Sequence, residues 1–107
     1  MKGKNLESLK SKKQLDFLFK HGKNLYSSVL KFIFLPNKSK IMRFVIVIAK
    51  KKYKSAVVRN KIRRQIKNIL ISSPKTGYDV AVLVNENYFD NSFDETAKII
   101  KKNLAKI

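Results

Sequence analysis

Between Ala56 and Ile71 the chain carries two surfaces of opposite character at a single helical period. At about 100° per residue, Val58, Ile62, Ile66 and Ile69 share one face of a helix, while Arg59, Asn60, Arg63, Arg64 and Lys67 spread over the opposite one. The apolar face is stable only against another apolar layer, and the cations need water or an anion. Ser55 stands where such a helix needs an N-cap. The helix can therefore dock on a sheet and still display its cations.

Arg59, Arg63 and Arg64 are three of only four arginines; apart from Arg43, the other basic positions are lysine, twenty-one of them. Guanidinium offers a planar, permanently charged fork suited to phosphate oxygens or to stacking on a base. All three arginines are expected away from the core, so alanine at each is expected to leave thermal stability nearly unchanged. From Phe17 to Tyr78 there is no Asp or Glu, while sixteen Lys or Arg occur there, out of a net charge of +18. A solvated helix face is the bland reading of any charge run. A run this one-sided attracts a polyanion, either nucleic acid or an acidic membrane surface.

The remaining elements follow from periodicity and turn chemistry. Ser11 with Gln14 fits a capping box opening a helix over Lys12 to His21, with Leu15, Leu18 and Phe19 as its apolar stripe and Phe17 pointing elsewhere. Gly22 is expected to close that helix in the left-handed conformation. Tyr26 to Leu35 and Arg43 to Ala49 read as strands around the turn Pro36-Asn37-Lys38-Ser39, and are expected to pair as an antiparallel hairpin. Ser73-Pro74-Lys75-Thr76-Gly77 breaks the chain, Asp79 to Val84 reads as a buried strand, and Ser92 with Glu95 opens a final helix. Phe93, Ala97, Ile100, Leu104 and Ile107 should face the core from it. The order α-β-β-α-β-α predicts an α/β (α+β) sandwich, a mixed sheet packed by helices, in a single domain over 1–107.

Little in the chain suggests chemistry of its own. No cysteine is present, which excludes disulfides, thiolate zinc sites and cysteine nucleophiles. His21, the only histidine, sits at a helix end where it suits the terminal carbonyls. Asp90, Asp94 and Glu95 gather where the last helix begins and its dipole favours negative charge; a two-carboxylate metal site there is the weaker reading. With no phosphate-cradling glycine loop or nucleophile elbow, no catalytic residue and no metal ligand set is expected on this chain. The apolar runs Phe32 to Pro36 and Phe44 to Ala49 are far short of a membrane span, and Met1 to Asn5 leads into no signal-peptide core. A soluble cytoplasmic protein is expected. A peripheral membrane binder would need Ile62 and Ile66 against lipid, whereas the core needs them.

The run Lys51-Lys52-Tyr53-Lys54-Ser55-Ala56-Val57-Val58-Arg59-Asn60-Lys61-Ile62-Arg63-Arg64 resembles the signature of the bacterial ribonuclease P protein subunit: Lys-Lys, a short spacer, Ala-Val, then Arg-Asn-Arg at the start of a helix. Leu9-Lys10 and Phe19-Lys20-His21-Gly22 match as well, and the similarity covers most of the chain. Three positions depart from the pattern. Lys61 replaces the motif's third arginine, keeping charge and losing the fork; Leu15 stands where the family usually has phenylalanine; Lys54 replaces a glycine.

This resemblance implies a left-handed βαβ crossover around the basic helix, against the usual right-handed preference. It also implies a division of labour. The family's RNA subunit holds most of the Mg2+ and cleaves the 5′ leader from precursor tRNA, while the protein binds that RNA and grips the leader. Carried over, Arg59, Asn60, Lys61, Arg63 and Arg64 would contact the RNA subunit, with Lys51, Lys52 and Lys67 adding charge. Leu15, Phe19, Lys31 and Ile33 would line a leader groove between the first helix and the open sheet face. Phe19 has a second reading as core, and Phe32 and Phe34 are expected in the core. The implied partners are the RNA subunit and precursor tRNA, with no membrane and no obligate protein partner. A ribosomal or ribosome-assembly RNA-binding protein would share the charge and fold type, but would not need the Lys-Lys to Arg-Asn spacing.

Overall fold

Val80, Ala81 and Val82 are all fully buried, so both faces of their strand are covered and the strand belongs at the centre of a sheet. The structure, a computed structural model, describes residues 6–72 and 75–107. Met1 to Asn5 and the Ser73-Pro74 part of the expected chain break lie outside the described residues. The elements are β1 (Leu6–Ser8), α1 (Lys12–His21), β2 (Lys23–Tyr26), β3 (Leu30–Pro36), β4 (Met42–Ile48), α2 (Ala56–Ser72), β5 (Tyr78–Val84), a 3-10 turn (Tyr88–Asp90) and α3 (Phe93–Ala105). One mixed sheet runs in the order β1-β4-β5-β3-β2. β4 is parallel to both β1 and β5, and β3 is antiparallel to both β2 and β5. α2 is the crossover between the parallel neighbours β4 and β5.

The expected hairpin between β3 and β4 does not form. β5 lies between them, with Val80 opposite Phe34 on one side and Phe44 on the other. An apolar strand inserted there satisfies both inner edges at once. The turn still exists and brackets the start of β5: Asn37 N–H donates to Gly77 O at 2.8 Å, and Gly77 N–H donates to Ile41 O at 2.9 Å. Gly77 sits at φ +84, a conformation that side chains resist. The single strand expected over Tyr26 to Leu35 is also two. Ser27 turns the chain, its N–H and hydroxyl both donating to Leu30 O, and folds β2 back on β3.

Strand alternation divides the side chains between two layers. Phe32, Phe44, Val80 and Val82 pack with Ile62, Ile66 and Leu70 of α2 and with Ile100 and Leu104 of α3. Ile33 and Ala81 pack with Leu9 and with Leu18 of α1 on the other side. At roughly 1.5–3 kcal/mol for each fully buried large aliphatic, the first layer dominates the favourable term. Of the two expected capping boxes, Ser92 and Glu95 form both bonds, whereas Ser11 contributes its half, accepting from Gln14 N–H at 3.4 Å.

One backbone conformation and two side-chain placements differ from expectation. Gly22 has φ −70 and ψ 156, an extended conformation open to any residue. Its glycine is needed for space: a Cβ there would stand 2.5 Å from Leu18 O and 2.6 Å from Ile33 Cγ2. Phe93 is 45% exposed, and the buried stripe of α3 begins instead at Thr96 and continues through Ile100, Asn103 and Leu104. Phe19 is 44% exposed, and Leu18 alone is fully buried in α1.

Candidate nucleic-acid interface

Val58 N–H donates to Ser55 Oγ at 3.4 Å at the start of α2, whose first turn holds no acid. Asn60, Lys61, Arg63, Arg64 and Lys67 are all exposed, while Ile62 and Ile66 are fully buried beneath them. The two-faced helix is therefore formed. Its cations do not make one uniform surface. Arg63, Arg64 and Lys67 overhang a cleft of about 470 Å³ along the outer edge of β4, floored by Leu9, Phe44, Val45 and Ile46 with Ser8 at its rim. On the other flank, Lys61 Nζ lies 6.0 Å from the Phe89 ring centroid.

Arg59 corrects the expectation that all three arginines are free. Its Nη1 donates to Tyr53 O at 2.7 Å and to Lys54 O at 2.9 Å, tying the connection from β4 onto the helix. These carbonyls precede the helix and have no ladder to join, so the guanidinium supplies what the backbone lacks. Lys51 and Lys52 are exposed on the same connection, with Lys52 Nζ 3.7 Å from Glu86 Oε2. Arg43, the fourth arginine, is committed elsewhere: its Nε donates to Asp79 Oδ1 at 3.1 Å, and Asn37 Nδ2 donates to the same oxygen at 2.8 Å.

Phe89, half-exposed, was not found from sequence. It stands edge-on to Tyr53 and Tyr88, with centroids 6.3 and 5.1 Å away. Those rings are themselves fixed. Tyr53 hydroxyl donates to Asn85 O at 2.6 Å and accepts from Tyr88 N–H at 3.2 Å, and Tyr88 hydroxyl donates to Gln65 Oε1 at 2.9 Å. Burial pushes the Tyr88 phenol up to about 12 and raises that of Tyr53, so both stay neutral donors. Only the aromatic pair at 88–89 could have hinted at this platform.

A second surface lies on the opposite face, beside α1. Leu15 is half-buried in the small cluster around Leu18, and Phe19 is exposed next to Leu18 in sequence. Lys31 is half-buried, its Nζ 5.2 Å from the ring centroid of Tyr26. The two are opposite each other in the β2–β3 register and so share a sheet face. Tyr26, 68% exposed, is the aromatic that sequence reading missed, because the strand pattern there runs straight through Ser27 and Ser28. Ile33 is 7% exposed and covered by α1, so its side chain serves packing. Val47 and Leu83 leave apolar surface partly open on the face that carries Lys31. His21 lies against Phe17 at the exposed end of α1, ring centroids 4.5 Å apart and planes tilted by 47°.

Among the described residues, no three or more His, Asp or Glu side chains gather to hold a metal ion, and no helix is long and apolar enough to cross a membrane. The family model described as Ribonuclease P matches residues 4–107. The chain is 32% identical over 106 residues to the ribonuclease P protein component of Mycoplasma genitalium, across 97% of this chain and 83% of that one. It is 37% identical over 101 residues to the component of Clostridioides difficile, across 89% and 87%. Among solved structures it resembles the RNase P protein of Thermotoga maritima, with TM-score 0.83 and 23% identity over 94% of this chain and 96% of that one. The RNase P protein of Staphylococcus aureus gives TM-score 0.80 and 22% identity over 92% of each chain. These two structural likenesses carry the fold alone.

Proposed function

The chain belongs to the ribonuclease P family, and on that premise we propose that it is the RNA-binding subunit of a cytoplasmic ribonucleoprotein that removes the 5′ leader of precursor tRNA. The reading assigns bond cleavage and the supporting Mg2+ to the RNA subunit. This protein's part is to bind and position.

The observation that carries the proposal is that two cation-bearing surfaces occupy opposite layers of one sheet. The outward face of α2 presents Arg63, Arg64 and Lys67 to the phosphates of the RNA subunit, each neutralised phosphate releasing counterions. The α1 side presents Phe19, Tyr26 and Lys31 to a single strand. There, rings accept successive bases with little regard to sequence, and the lysine offsets the backbone charge. Separate surfaces allow one protein to hold the catalytic RNA and the leader together.

Reconstitution tests the reading directly: this protein, a bacterial ribonuclease P RNA and a precursor tRNA at low magnesium. Cleavage at the mature 5′ end should rise above that of the RNA alone, and an unchanged rate refutes the proposal. Phe19→Ala and Lys31→Glu should lower the preference for precursor over mature tRNA while leaving assembly with the RNA subunit intact. Removing the ring under one stacked base costs on the order of 1–3 kcal/mol, or about tenfold and more in affinity. Leader crosslinks confined to α2 would show that the strand lies on the wrong face.

A further inference from the structure

The outer edge of β4 is only half covered. β1 pairs with it through Leu6 and Met42, Glu7 and Arg43, and Ser8 and Phe44; after these, Leu9 N–H donates to Phe44 O at 2.7 Å and the ladder stops. In a parallel pair, every second residue turns its N–H and C=O to the same neighbour. The next outward pair therefore belongs to Ile46. Among the described residues no backbone group meets it. Ile46, which carries this free donor and acceptor, lines the same cleft as Arg63, Arg64 and Lys67.

The chemistry of the cleft is mixed in a way that selects its occupant. Its floor is apolar and its rim carries three cations, with no acid among the lining residues. A phosphate by itself would gain at the rim and lose its water against Phe44 and Ile46. An added peptide strand would find few free edge positions beyond Phe44 before β4 ends at Ile48, and would leave the cations unused. A nucleotide uses every part. The base enters against the apolar floor, its hydrogen-bonding edge meets Ile46 N–H and C=O, and the flanking phosphates meet the arginines. A volume of about 470 Å³ accommodates one base.

We propose that this cleft takes one unpaired nucleobase of the RNA subunit, so that α2 recognises an extruded base as well as the backbone. The inference rests on the docking role assigned to α2 above. Ser8 is the natural probe, because its side chain is exposed at the rim and belongs to neither apolar cluster.

The RNA subunit is probed with dimethyl sulphate and with a carbodiimide, which together report the base-pairing edges of all four bases, with and without protein. Wild-type protein should protect the edge of one base that is unpaired in the free RNA. Ser8→Trp, which fills the cleft from its rim, should restore that base's reactivity. It should also weaken binding about tenfold, the size of one stacked base, without changing the dependence on salt. Arg63→Ala should instead reduce the salt dependence. The proposal is overturned if wild-type protein protects no base edge of the RNA subunit, or if Ser8→Trp binds with wild-type affinity. Absence of wild-type protection overturns the proposal even if Ser8→Trp fails to fold. A protein that neither binds the RNA nor raises cleavage would fail the broader reading; one that does both and protects no base fails only this inference.

Discussion

The two faces of the sheet are built from alternate residues of the same strands, yet one is sealed and the other left partly open. Among the described residues, eighteen buried side chains form the cluster under α2 and α3, against four in the cluster under α1. α2 spans 17 residues and α3 13, whereas α1 spans 10. The difference teaches where this protein keeps its stability. Concentrating the core on one side lets the other expose Phe19, Tyr26 and Val47 without unfolding. α2 belongs to both stories, since its inner face seals the core while its outer face carries cations.

The comparison is most easily broken by removing the same atoms from each face. Ile66→Ala, from the fully buried face of α2, should cost about 2–5 kcal/mol in urea unfolding, and Ile33→Ala under α1 should cost less because its partly open surroundings can collapse. Equal costs would mean that the two faces share stability evenly. Gly22→Ala should come next, at about 1–3 kcal/mol, since the added methyl forces α1 away from Ile33 and the Leu18 carbonyl. Thermal melting reads that cost, and the preference for precursor over mature tRNA should fall with it. Arg59→Ala should cost about 1 kcal/mol of stability through its two charge-assisted bonds to Tyr53 and Lys54 carbonyls. Wild-type stability in that variant would return Arg59 to the free surface. Smallest of all, Arg63→Ala and Arg64→Ala should stay within about 0.5 kcal/mol of wild-type stability. Their signature is weaker binding to the RNA subunit, with a salt slope smaller by up to about one for each phosphate left without its cation.

What could be read from the sequence was whatever repeats along the chain. The helical period and caps placed α1, α2 and α3 within a residue or two, and the unbroken apolar run marked β5 as buried. Pairing was less legible. β1 has one buried residue in three, Leu6, and exists because β4 offers it a ladder. The β3–β4 hairpin followed from adjacency, and nothing local announces that a strand made roughly forty residues later will separate the two. Site residues divided in the same way. The charge of α2 was visible, but which guanidinium finds a carbonyl depends on how the Tyr53 and Lys54 connection turns. Tyr26 was hidden by an unread turn at Ser27, and the cleft beside Ile46 exists only because β1 ends early.

The central place of β5 has a consequence for how the chain is made. Synthesis delivers β1 to β4 and then α2 before the strand that joins them, so until Val84 has emerged the sheet is two separate pieces, β1 with β4 and β2 with β3. Neither piece has a middle. Joining them requires contacts between distant parts of the chain, the kind that sets a slow pace for folding. During that interval α2 has left the ribosome with its isoleucines uncovered and its arginines fully charged, and Asp79, the first acid after the long gap, arrives on the strand that closes the sheet. The delay between α2 and β5 leaving the ribosome therefore sets how long a cationic, half-built sheet is exposed to everything else in its surroundings.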